Sequence, residues 1–342
     1  MGGRPVLFLS YSGVLGGSER VLIDCATRLG RPALVACPEG PLAAAARTSG
    51  LRVAPIRNRS LRMRGHRGAA LRGLGGLALD AVRLARRVRP PVLIAWGARA
   101  VLAAPAAGTP VLAVHHDLPP RGPAAAALRA ATRRAEAVVA TSRAVAAALG
   151  AGGATILHPG LDLTAWPELP PPQGDPHALV LGALVPWKRA DLALEIAARI
   201  PDLRLTIAGA PMPGDDPAFV AALTRRAAAA DLDGRVAFPG RVDARSALAG
   251  AHLLLHCADA EPFGMALLEA MASGRPVAAP AAGGPLEILD DPRALYAPGD
   301  AAAGADAVRT LLADPGQPRR RAERFTVEAS AKRFRAAVEA LA

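Results

Sequence analysis

Cysteine is scarce: Cys25, Cys37 and Cys257 are the only three in 342 residues, and no two stand in C-x-x-C spacing. An odd, scattered set supports neither a disulfide framework nor a zinc site, and it fits a reducing cytosol. Long apolar runs are missing as well. The stretch 92–114 is interrupted by Gly97, Arg99, Pro105, Gly108 and Pro110, so it reads as strand, helix and strand inside a core, not as a membrane span. The first residues carry one Arg and a short strand with no signal-peptide h-region and no cleavage site, so no export signal is expected. Aromatics amount to 3% of the chain, while Ala, Arg, Gly and Pro abound. That bias resembles the codon usage of a GC-rich genome, and Ala-rich runs carry correspondingly little structural information.

Acid is in deficit. Lys and Arg number 41 against 29 Asp and Glu, a net charge of +12 that attracts anions without choosing among nucleic acid, membrane and phosphorylated substrate. The densest basic segment is 57–72, where Arg57, Arg59, Arg62, Arg64, His66, Arg67 and Arg72 interleave with Leu61, Met63 and Leu71 and no acid intervenes. It has no stacking aromatics, helix-turn-helix pattern or zinc-finger spacing, so nucleic acid is not an expected partner. Peripheral contact with anionic lipid or an acidic acceptor, and a solvated Arg-rich loop, are both consistent with it.

What is present is a rhythm. Short β-type runs at 6–10, 33–37, 92–95, 111–115, 138–141 and 155–158 alternate with helical stretches, which implies a parallel sheet. Residues 166–177 hold five prolines and Gly174, and a linker is expected there. The rhythm then resumes at 179–181, 205–208, 236–238, 253–256 and 276–279. The expectation is an α/β chain of two Rossmann-like, doubly wound domains facing a shared cleft: 1–166, a linker at 167–177, 178–326, and a last helix at 327–342 crossing back to the first domain. Heptads and repeats are absent, which suggests a monomer.

Several motifs fall where such sheets bind ligands. In E-P-F-G-M-A-L-L-E, residues 261–269, two glutamates stand eight apart across a turn and a helix start. Glu261 belongs on a loop and Glu269 in the helix, whose opening N–H groups around Phe263, Gly264 and Met265 suit phosphate or sugar oxygens. A core helix with a solvated Glu269 would give the same pattern. After the first strand, Gly16 and Gly17 open a helix and let backbone approach an anion, although a plain tight turn reads alike. His115 and His116 end a strand, so one imidazole should reach the carboxyl edge of the sheet. Lys188 and Arg189 stand at a helix start, where the dipole disfavours cations, which favours a phosphate-neutralising role over decoration. A second glycine turn, Gly283-Gly284, precedes a short helix.

Taken together, these residues resemble the retaining nucleotide-sugar glycosyltransferases of family 4, with the GT-B fold. The likeness runs through Gly16-Gly17-Ser18-Glu19, His116-Asp117, Thr141-Ser142-Arg143, residues 158–162, 185–191, 261–277 and 283–287, and Ala297-Pro298-Gly299-Asp300. The resemblance implies transfer of a hexose from a UDP- or GDP-linked donor to an acceptor hydroxyl, with no cofactor and no metal. It places Glu261 by the transferred sugar and Glu269 on the donor ribose. Gly16, Gly17 and Lys188 would face the diphosphate, with Arg189 beside them, and His116, rather than His115, would match the family's His-Asp. A cytoplasmic location follows, with contact at the inner face of the membrane where the acceptor is lipid-linked. Two departures stand out. Gly182 is followed by Ala183 where the family usually carries Arg, leaving Arg189 or Arg241 as candidate substitutes, and His256-Cys257 replaces a common Pro-Ser with no evident chemical consequence.

Overall fold

The computed structural model describes residues 3–59, 67–120, 122–212 and 217–341. The chain divides into two units, one made of residues 1–160 with 327–342 and the other of 161–326.

In the first unit the described strands are β1 (Val6–Leu9), β2 (Ala33–Pro38), β3 (Arg52–Ile56), β4 (Leu93–Trp96), β5 (Val111–His115), β6 (Ala137–Ala140) and β7 (Thr155–Ile156). They form one parallel sheet in the order β3-β2-β1-β4-β5-β6-β7. β1 and β4 are buried throughout because helices cover both faces, as a parallel sheet requires. The helix Val327–Glu339 belongs to this unit. Phe334, fully buried, lies 5.8 Å from Phe8 and 6.2 Å from Trp96, ring centre to ring centre.

The second unit carries β8 (His177–Leu181), β9 (Arg204–Ala208), β10 (Val236–Gly240), β11 (Leu253–Leu255), β12 (Val277–Pro280) and β13 (Leu295–Tyr296), ordered β10-β9-β8-β11-β12-β13. Counted from its own first strand that is 3-2-1-4-5-6, the Rossmann order, and the first unit repeats it with one strand added. In each sheet the order reverses beside the unit's first strand, so the loops after β1 and β4, and after β8 and β11, flank the two switch points.

The proline-rich segment does not separate the units. The boundary falls between Gly160 and Leu161, and residues 166–177 lie wholly in the second unit. Trp166 and Leu169 pack on its core. Leu169 N–H donates to Ser273 O, while the buried Arg275 guanidinium donates to the Leu169 and Pro170 carbonyls. Prolines forfeit donors, not acceptors, and this segment is held by its acceptors. In the basic segment, Arg62, Arg64 and His66 lie outside the described residues. Arg59 does not face solvent alone, since it pairs with Asp80 from the helix Arg67–Val88.

Candidate functional site

At the switch point of the second sheet, Lys188 and Glu261 meet although 73 residues separate them. β8 runs into a turn, Pro186–Lys188, and the helix Ala190–Ala198 follows; Lys188 is therefore in the turn before the helix, not in the helix itself. β11 runs into the loop 256–264. The two loops are tied by Asp259 N–H donating to Trp187 O at 3.1 Å. The Lys188 ammonium donates to Glu261 Oε2 and lies 4.3 Å from the centre of the half-exposed Trp187 ring.

Glu261 is buried, and its backbone is clamped by the second glycine turn. Gly284 N–H donates to Glu261 O at 2.8 Å, and a Cβ on Gly283 or Gly284 would come within 2.3 Å of Glu261 O or 2.0 Å of Phe263 O. The Gly283-Gly284 pair is thus required by close approach. From there the chain turns through Gly264, at φ +117°, into the helix Met265–Ala272, which Phe263, Gly264 and Met265 open. Glu269 is in its second turn.

Arg189 caps the helix Ala190–Ala198 in the left-handed region, φ +54°, and its guanidinium is taken by Asp191 and by Asp259, at 2.9 Å. The hydrogen bond to Asp259 raises its already high pKa. Arg241, the other candidate substitute for the missing family arginine, is exposed after the edge strand β10, two strands away from β8. His256, which the sequence marks only as a departure from a common Pro, also belongs to this cluster. It is buried, with Nε2 3.4 Å from Glu261 Oε2. Burial holds its pKa down at about 4 and pushes the neighbouring Cys257 thiol up to about 12.

In the first unit Gly16 and Gly17 begin the helix Gly17–Thr27, with Gly16 N–H donating to the buried Glu19 carboxylate at 3.0 Å. Along the carboxyl edge a pocket opens among Ser10, Tyr11, Ser18, Glu19, Trp96, Arg99 and His116. The two histidines part company there. His115 turns inward, its Nε2 3.0 Å from Thr132 Oγ1, with burial lowering its pKa to about 4. His116 lines the pocket, stacked on Trp96, with Nε2 3.2 Å from Asp117. Its Nδ1 has no hydrogen-bond partner among the described residues. Gly97, at φ +84°, makes the space, since a Cβ there would fall 2.7 Å from His116 Cε1. Gly97 and Trp96 were invisible as site residues because their role is set by a neighbouring strand.

Family models and solved structures match nearly the whole chain. Residues 15–165 match the model for Glycosyltransferase Family 4, and residues 166–328 match that for Glycosyl transferases group 1. The chain is 32% identical over 174 residues to the D-inositol 3-phosphate glycosyltransferase of Mycolicibacterium paratuberculosis, and 31% over 180 residues to that of Mycobacterium tuberculosis. These matches cover 47% and 48% of this chain but only 39% and 37% of those proteins. Among solved structures, Anabaena Alr3699/HepE in complex with UDP-glucose superposes at a TM-score of 0.83 with 24% identity, over 98% of this chain and 99% of that one. Sucrose-phosphate synthase of Thermosynechococcus elongatus superposes at 0.79 with 19% identity over 99% of each. At these identities the superpositions establish the GT-B fold alone.

Proposed function

The chain belongs to family 4 of the glycosyltransferases, and from that premise we propose that it moves a hexose from a UDP- or GDP-linked donor to a hydroxyl of a glycan, a glycolipid or a small metabolite, retaining the anomeric configuration. The observation that carries the proposal is the Lys188–Glu261 pair at the switch point of a Rossmann-ordered sheet, beside the opening of the helix that holds Glu269. An ammonium and the N–H groups that open a helix together form a seat for a diphosphate, because both favour the charge that grows on it as the sugar leaves. Glu261 then stands by the sugar and Glu269 by the ribose. Front-face substitution follows: the acceptor hydroxyl loses its proton to the departing phosphate oxygen while the new bond forms on the face the old one leaves. His116 is assigned to a sugar hydroxyl, and Gly16 and Gly17 to the diphosphate. The crystal complex of HepE with UDP-glucose supports a uridine donor. With lysine and helix N–H groups neutralising the phosphate, no metal is assigned, and chelators should leave turnover within about twofold. The buried cysteines and the basic segment support a cytoplasmic protein that touches the inner face of the membrane.

A second reading, a donor-binding or regulatory protein with impaired turnover, is favoured by one observation. Ala183 supplies no cation, and Arg189 is already held by two carboxylates. Ala183→Arg separates the two: a gain of about 10-fold or more in turnover marks an impaired enzyme, and no gain marks a complete one.

The test of the leading reading is binding and hydrolysis across UDP-, GDP- and dTDP-sugars. One donor should be selected, Lys188→Ala should lower turnover by about 10²–10³, and Glu269→Ala should weaken binding of the same donor. Binding of none overturns the proposal.

A further inference from the structure

Glu261 Oε2 has two donors within reach and uses one. Lys188 Nζ holds it, while His256 Nε2 stops 3.4 Å away, buried and without a hydrogen-bond partner among the described residues. A buried ring nitrogen left unmade in this way calls for an explanation. The surroundings say which of the three groups can move. His256 is fixed through its backbone: its N–H donates to Ala278 O at 2.8 Å, and its carbonyl accepts from Tyr296 OH at 2.6 Å. Glu261 is fixed through the glycine clamp described above. Lys188 has a four-carbon stem on a short turn and is the most exposed of the three, and it is the group that a diphosphate would draw away.

Resting on the donor reading above, we infer that His256 is a positioning residue: its Nε2–H takes over Glu261 Oε2 when the Lys188 ammonium turns to a bound diphosphate, so the carboxylate keeps its aim at the sugar. Without a successor donor, the buried carboxylate would rotate after the ammonium or take up a proton, and in both cases the sugar would lose its partner. The charged and titratable groups around the ring are Glu261 and Lys188 from the two facing loops, the adjacent Cys257 thiol, and Tyr296 from β13 beneath. Burial and the nearby ammonium keep the ring neutral. It can therefore donate to the carboxylate without competing with Lys188 for the phosphate.

The experiment compares the native protein with His256→Phe and His256→Gln, using UDP and GDP as binding probes and UDP-glucose and GDP-mannose hydrolysis as turnover. His256→Phe should bind the nucleotide within about threefold of native yet lose about tenfold or more in kcat, and His256→Gln, whose amide N–H can reach Oε2, should recover most of it. Turnover by His256→Phe within twofold of native, or equal losses in both variants, overturns the inference while leaving the donor reading standing. Nucleotide binding by none of the proteins, native included, overturns both. If the Phe variant does not fold, the native protein labelled with nitrogen-15 at histidine decides: UDP or GDP should shift the His256 Nε2–H resonance downfield as the hydrogen bond forms, and a resonance that stays put overturns the inference.

Discussion

Gly75 and Gly284 show how differently the same residue type can be used. Gly75 is exposed in the helix Arg67–Val88 with nothing near its missing side chain, whereas Gly284 has the Phe263 carbonyl where a Cβ would be. Gly75→Ala should therefore raise stability by about 0.5–1 kcal/mol through helix propensity. Gly284→Ala should lower it by about 1–3 kcal/mol, because it forces the Glu261 loop off its clamp, and should weaken UDP binding with it. Denaturant unfolding and calorimetry check both signs. Glu261, Glu269 and Lys188 could be picked out from the sequence as candidates because carboxylates and cations beside glycine turns and helix starts suit sugar and phosphate groups. His256, Gly97 and the reason for Gly283-Gly284 could not, because each acquires its role from a residue on another strand or loop.

Strand ends concentrate the polar burial. His115 ends β5 and His256 follows β11, and burial depresses both from an ordinary value near 6.5 to about 4. Each binds its proton more readily unfolded than folded, so their contribution is complete above about pH 6.5 and is lost as pH falls toward about 4. Tm measured across that window should drop on the acid side, and His115→Gln should flatten part of the drop. At this scale the alternation of strands and helices was plain, but β3 and β13 were not. β3 carries Pro55 and exposed positions at Arg52 and Pro55, as an edge strand does, and β13 is two residues long, too short for any periodicity. The proline-rich stretch misled for a related reason, because the composition of a linker and that of a strap pinned through its carbonyls are the same.

Over the whole chain, two parallel-sheet domains were legible from rhythm alone, while the point of division was not, because Gly160 and Leu161 bear no mark of a boundary. The first unit is completed by residues 327–342. Phe334→Ala, emptying the space between Phe8 and Trp96, should cost about 3–5 kcal/mol. Hydrogen exchange should quicken at the amides of β1 and β4 and stay unchanged at those of β8 and β11. The same closure has a consequence for synthesis. A ribosome makes residues 1–160 before 161–326, yet the helix that finishes their core emerges only after both. The second unit can acquire its core while the first still waits for its own. A fragment ending at residue 160 should accordingly be poorly soluble when expressed alone, and a synthetic peptide of residues 327–342, supplied in trans, should rescue it.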